Sequence, residues 1–276
     1  MRISIVIACW NSATVIGRCL ESLIAQDYPD IEVVVADGGS TDGTVGILRR
    51  YARQMGPRMI WLSEPDKGLA DAWNKAVDRA SGDWLLFLGA DDTLAAVDVL
   101  QRIAPVLSGA FPEYSVVYGK VALMAADGRV LAYEDWPWSP AEFKGCRAAL
   151  PHQATFHHRS LFHRYRRFDK SFSIGADVEF LMRALENDTP LHVGGILVSN
   201  MQIGGMSTSR RNAPRVTMVQ IRLYRRYVGG FPWLFYWWLL KACGVWVLHR
   251  LGGDELALPV TNFYRRIVGG RPPLDY

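Results

Sequence analysis

The sequence predicts an α/β protein with a Rossmann-like, mostly parallel sheet flanked by helices and a helical C-terminal extension. Three observations carry this expectation. Short apolar runs alternate with amphipathic stretches of about 10–15 residues through the first hundred positions. The runs are continuous, as in strands buried on both faces. Several end on or just before carboxylates (Asp37, Asp66 and the pair Asp91-Asp92), where open α/β sheets bind ligands beyond their strand ends.

The first strand is read at Ile3–Cys9, too short for a signal-peptide core. Asn11 and Ser12 are expected to cap a helix over 13–26, whose Val15, Ile16, Leu20, Leu23 and Ile24 share one face. A second strand spans 31–36 and stops at Asp37. The tight loop Gly38-Gly39-Ser40-Thr41-Asp42-Gly43 leads into a helix over 44–55. A strand at 59–63 and a loop holding Asp66, Lys67 and Gly68 precede a helix over 69–80. Next comes Gly82-Asp83 followed by the apolar run Trp84 to Leu88, which ends on Asp91 and Asp92. That pair either caps a helix starting near Ala95 or, as two like charges side by side, holds a hard divalent cation.

After Leu107 the pattern changes. Runs over 115–124 and 129–133 flank Asp127-Gly128, a hairpin signal. An irregular aromatic segment follows, then an extended piece at 151–156 and helices near 159–165 and 176–186. A strand at 191–201 leads to the glycine-rich loop that starts at Gly204. The chain divides into a body, 1–209, with halves 1–107 and 108–209, and a tail, 210–276.

Half of the 276 residues are hydrophobic, enough for a large core. The four cysteines are scattered without metal-site spacing and read as small buried hydrophobes in a reducing compartment. The net charge of +4 is uneven: from Arg210 onward there are 11 Lys/Arg against 3 Asp/Glu. A mildly acidic body therefore carries a basic tail.

The chemistry-bearing residues each allow two readings. Asp37 can accept a hydrogen bond from a base ring N–H or a ribose hydroxyl, or can hold its own turn. Asp71, Asn74 and Lys75 share a helical face, which spacing alone makes an ordinary solvated one; Lys67 and Lys75 could also meet phosphate. Asp177 and Glu179 either favour a helix N-terminus or supply a general base. His152 is either structural or a ligand of substrate or metal. Asp37, Asp66 and Asp91/Asp92 should converge on one crevice of a parallel sheet, which no single cluster would establish.

Taken together, Ile5 through Asn11, Val35 through Thr44, Ser63 through Gly68 with Asp71 to Lys75, and Gly82-Asp83 through Asp92 resemble family 2 inverting glycosyltransferases of the GT-A fold. His152 to Phe156 and Ala176 to Phe180 extend the match. The branch most similar assembles bacterial exopolysaccharide, capsule or lipopolysaccharide. The resemblance implies a nucleotide-sugar donor, with Ala8, Asn11 and Asp37 around the base, Asp66, Gly68 and Lys75 along the nucleotide, and Asp91 at the ribose. It further implies that 1–107 is the nucleotide-binding half and 108–209 the acceptor-binding half, with Mg²⁺ or Mn²⁺ on Asp92, Asp177 as base, and Arg210 and Arg211 near the diphosphate or acceptor; if Asp177 is not the base, Glu179 is the next candidate. The metal motif is Ala90-Asp91-Asp92 rather than a strict Asp-x-Asp, and Trp10 stands where smaller residues or tyrosine are common. The QxxRW string of processive synthases is absent, so one sugar per encounter is expected.

A sugar-phosphate nucleotidyltransferase should carry a glycine- and basic-rich loop where Ala8 to Ser12 stand. A non-catalytic sugar-nucleotide-binding protein should lack the Asp pair or Asp177. The tail is rich in Trp beside Arg222, Arg225, Arg226, Arg250, Arg265 and Arg266. Over 216–268 it reads as helices in the interface of an anionic membrane, or as a surface packing on the body or a second subunit. Its basic residues flank an aliphatic block, which speaks against nucleic acid. The expected partner is a lipid-linked saccharide acceptor, and the expected location is cytoplasmic, on the inner face of the cell membrane.

Overall fold

The computed structural model describes residues 1–144, 149–205, 212–233, 235–244, 246–248 and 250–251. Its centre is a nine-stranded sheet of order β3-β2-β1-β4-β8-β6-β9-β5, with β7 paired to β6. The strands are β1 Ile3–Cys9, β2 Ile31–Asp37, β3 Met59–Ser63, β4 Trp84–Gly89, β5 Thr93–Leu94, β6 Val116–Met124, β7 Val130–Glu134, β8 Thr155–His158 and β9 Leu191–Gln202. The helices are α1 Ile16–Ile24, α2 Thr44–Met55, α3 Leu69–Val77, α4 Val99–Ala110, α5 Pro140–Lys144, α6 Ser160–Arg164, α7 Ala176–Ala184 and α8 Ala213–Tyr227.

Strands β1 to β4 pair only in parallel with one another. Their register sets Cys9 beside Asp37, Ala8 beside Gly89 and Asp37 beside Ser63. Past β4 the sheet is mixed: β8 is antiparallel to β4 and β6, while β9 runs parallel to β6 and antiparallel to β5. Each face of the sheet carries its own core. Ile5, Ile7, Leu86 and Leu88 pack under α1, α2 and α4; Val6, Val34, Leu85 and Phe87 pack under α3, α6, α7 and α8. The side chains of Trp84 to Leu88 are essentially inaccessible, which at about 1.5–3 kcal/mol each makes β4 a principal source of stability.

Several local expectations are corrected. Asn11 and Ser12 do not cap α1 through their side chains; the Ser12 carbonyl accepts from Ile16 N at 2.9 Å, while Asn11 sits at φ 48° and accepts from Thr41 N at 3.0 Å. The helix expected near Ala95 starts at Val99, because Thr93 and Leu94 are drawn into the sheet by β9, so Asp91 and Asp92 cap nothing. Residues 152–154 form a 3-10 turn ahead of β8 instead of an extended piece. The face of Asp71, Asn74 and Lys75 is not solvated: Asn74 exchanges two 2.9 Å hydrogen bonds with the Phe168 backbone, and Asp71 pairs with Lys170 at 3.0 Å. Of the cysteines, Cys9 and Cys19 are buried but Cys243 is exposed, and Cys146 lies outside the described residues.

Candidate active site

A cleft of about 240 Å³ opens at the carboxyl ends of β1 and β4. It gathers Ala8, Asp91, Asp92, His152 and Asp177 of the expected site residues, together with Trp10, Trp73, Gln153, Gln202 and Gly205. The first residue of α3 (Leu69) and the residue before α7 (Gly175) also line it. Two helix N-termini thus face a space that also holds acids. That combination suits an anion accompanied by a cation.

The Asp pair packs closely over the glycine that ends β4. A Cβ on Gly89 would lie 2.5 Å from Asp92 Oδ2 and 2.9 Å from Asp91 Oδ1. Gly89 N donates to Asp92 Oδ2 at 3.2 Å and Gln202 N to Asp92 Oδ1 at 2.9 Å. Asp92 is 2 % exposed, and burial together with the neighbouring Asp91 charge pushes its carboxyl up to about 7. Donation from the Gln153 side chain opposes that rise. Among the described residues no group of three or more His, Cys, Asp or Glu forms a metal cage. Two adjacent carboxylates leave open positions, and that donor set fits a hard ion whose remaining ligands come from substrate phosphates and water. Gly89→Ala should displace both carboxylates and destabilise the protein by roughly 1–3 kcal/mol, read by urea unfolding; an unchanged midpoint would show that the strand end yields freely.

Asp177 stands in the first turn of α7, its side chain 27 % exposed to the cleft. Burial raises its pKa against the pull of local backbone N–H groups. His152 Nδ1 is 4.0 Å from Asp177 Oδ2. The imidazole is stacked on Phe87 at 5.1 Å, is close to Trp73, and is held neutral by burial at a pKa of about 3. It therefore offers Asp177 no charge. Glu179 is turned away from the cleft. Fully buried, it meets Arg183 Nη2 at 2.8 Å and accepts from Tyr227 Oη at 2.6 Å, with Arg226 at 3.5 Å. The sequence could not separate these two acids; the helical rotation between them does.

The remaining expected residues build the wall beside the cleft. Asp37 is buried and accepts from Ser40 N at 2.9 Å, Ser63 Oγ at 2.6 Å and the Ser40 hydroxyl. Burial alone would raise its carboxyl, but these bonds hold it below the usual range. Its contacts are those of a turn aspartate. Asn11 N donates to Ser40 Oγ at 2.6 Å, tying the β1 end to the same loop. Asp66 accepts from Gly68 N at 2.8 Å, and a Cβ on Gly38 would lie 2.6 Å from Asp66 Oδ2, so the two loops touch. Gly68 takes φ 106° at the start of α3. Lys75 Nζ bonds Pro65 O at 2.9 Å and Glu64 at 3.0 Å, fixing that loop. Trp10 overhangs this corner, 67 % exposed. Arg210 and Arg211 lie outside the described residues, as does the loop from 206.

Sequence reasoning missed Gln153 and Gln202. Gln153 lies within the quoted His152 motif, yet only the 3-10 turn aims it at Asp92. Gln202 contributes a backbone N–H, for which no side-chain signal exists.

The profile described as "Glycosyl transferase family 2" matches residues 4–170. A "PGL/p-HBAD biosynthesis glycosyltransferase" of Mycobacterium bovis (strain BCG / Pasteur 1173P2) is 34% identical over 242 residues, covering 83% of this chain and 90% of that protein. Staphylococcus aureus TarS 1-349 in complex with UDP-GlcNAc has a TM-score of 0.63 at 17% identity, covering 92% of this chain and 74% of that one. The mannosyltransferase PcManGT from Pyrobaculum calidifontis, in complex with GDP-Man and Mn²⁺, has a TM-score of 0.62 at 19% identity, covering 98% and 81%. At these identities the likeness is one of fold, and that fold is GT-A, as expected.

Proposed function

Because the chain belongs to glycosyl transferase family 2, we propose that it moves one sugar from a nucleotide-diphosphate sugar, a UDP-sugar first of all, to a hydroxyl of a lipid-linked saccharide. The observation that carries this reading is the shared cleft of Asp91, Asp92 and Asp177. The relative's name, a PGL/p-HBAD biosynthesis glycosyltransferase, and the two nucleotide-sugar complexes of the fold neighbours support it.

Asp92, with Asp91, would hold Mg²⁺ or Mn²⁺, which when bound neutralises charge on the diphosphate leaving group. Asp177 takes the proton of the acceptor hydroxyl, and the rise in its pKa on burial makes it a stronger base than an exposed aspartate. A single in-line displacement inverts the anomeric centre and needs no second catalytic carboxylate, which agrees with Glu179 being committed to Arg183 and Tyr227. Neutral His152 and the rings of Trp73 and Phe87 exclude water beneath Asp177. The loops of Asp37 and Asp66 shape the base pocket, and the exposed Trp10 offers its face to the base.

The test is a thermal-shift screen of nucleotide sugars with and without Mn²⁺. Metal-dependent stabilisation by one donor family is expected, and none by any donor would overturn the reading. Within it, Trp10→Ala should weaken UDP binding by about tenfold in calorimetry, the scale of one lost base–aromatic stack. Unchanged affinity would remove Trp10 from the base pocket.

A further inference from the structure

Beyond the cleft, the C-terminal stretch 233–251 has two apolar faces. Its described residues are all helical. The inner face is anchored: Phe235 is buried against Tyr224 and Trp238, and Tyr236 and Leu239 pack on the core under α7 and α8. The outer face carries Trp233, Trp237, Leu240, Val247 and Leu251, 44 to 77 % exposed. At about 100° per residue these five positions fall in one narrow stripe. A helix apolar all round is ordinarily buried, and this one is covered on one side.

Charge indicates what covers the other side. Between Asp188 and Asp254 there is no acidic residue and there are eight Lys/Arg. Arg226 is paired with Asp169 at 3.0 Å, but the segment contributes no acid of its own, so a second copy would set two basic segments against each other, whereas an anionic surface complements them. Exposed tryptophans beside arginines match the boundary between headgroups and acyl chains. No helix among the described residues is long and apolar enough to cross a membrane. Pro232, Lys241 and Gly244 interrupt the apolar run, which suits a segment lying flat. Behind the stripe is a cavity of about 470 Å³ lined by Asn212, Pro214, Arg215, Cys243 and Trp246. Gly205 of the cleft and Asn212 of this cavity are seven residues apart in sequence, at most about 25 Å.

We propose that the stripe Trp233, Trp237, Leu240, Val247 and Leu251 lies in the surface of an anionic bilayer. The apolar cavity then faces the lipid chain of the acceptor; this last clause rests on the proposed reaction, while the membrane contact does not. In flotation, the full chain should rise with phosphatidylcholine vesicles containing about 30 % phosphatidylglycerol, and far less with phosphatidylcholine alone or in high salt. Trp237→Glu combined with Leu240→Glu should cut that partition roughly tenfold or more. Stabilisation by donor and Mn²⁺ should stay unchanged, which separates failure here from failure of the glycosyltransferase reading. Arg215→Glu with Arg250→Glu provides a second test outside the stripe and should remove the preference for anionic lipid. A chain that ignores vesicles, or one that is a dimer dispersed by Leu240→Glu and indifferent to lipid, would overturn the proposal.

Discussion

Replacing Asp177 by Asn should lower kcat by roughly 10²–10⁴ while leaving donor affinity within about twofold. The side chain keeps its shape, so packing at the start of α7 survives; what goes is the basic carboxylate that takes up the acceptor's proton. The pH profile is the sharper readout. Burial raises the Asp177 pKa, so the basic form accumulates only as pH climbs through that raised value, and turnover should climb with it. In the Asn variant that limb should vanish. A variant that keeps its turnover would place the base elsewhere. Glu179 then supplies the contrast. It is fully buried between Arg183, Arg226 and Tyr227, so Glu179→Ala should unfold the protein more easily, by about 3–5 kcal/mol, without abolishing chemistry in the molecules that remain folded.

Asp92→Asn should abolish metal-dependent donor binding and yet stabilise the metal-free protein. Burial and then Asp91 push the Asp92 carboxyl up to about 7, well above the 3.8 of an ordinary aspartate. The fold therefore favours the protonated acid. The stability this contributes is fully present below the unfolded pKa and is lost as pH rises through about 7. In metal-free wild type the melting temperature should fall over that window, and added Mn²⁺ should reverse the fall most strongly at the alkaline end, where protons no longer compete. The Asn variant should show neither the fall nor the reversal, and above pH 7 should melt higher by about 2–4 °C for each kcal/mol of relieved penalty. Retention of Mn²⁺-dependent donor binding by Asp92→Asn would remove this residue from the metal site.

The first half of the fold was legible in the sequence because its signals are local. Apolar runs this short, bounded by turn residues, read as strands covered on both faces, and the helices between them carry one apolar side, so β1 to β4 and α1 to α3 fall close to where the pattern puts them. Legibility faded where partners are distant in sequence. Thr93 and Leu94 resemble a helix start until β9 pairs with them from more than a hundred residues away. Asn74 reads as a solvated position until the Phe168 backbone arrives to bond it.

The site divides in the same way. By itself the sequence determined which residue types stand at the strand ends, and hence that acids gather there. Tertiary structure decided their placement. It commits the Asp37 carboxylate to its own loop, packs Asp92 tightly against Gly89, and turns Asp177 into the cleft while Glu179, two residues on, is locked into an ion pair. It also divided the aromatic tail into a packed face and an open one. Such choices depend on which groups meet across the sheet and how much water remains between them, and neither quantity is written in the local order of residues.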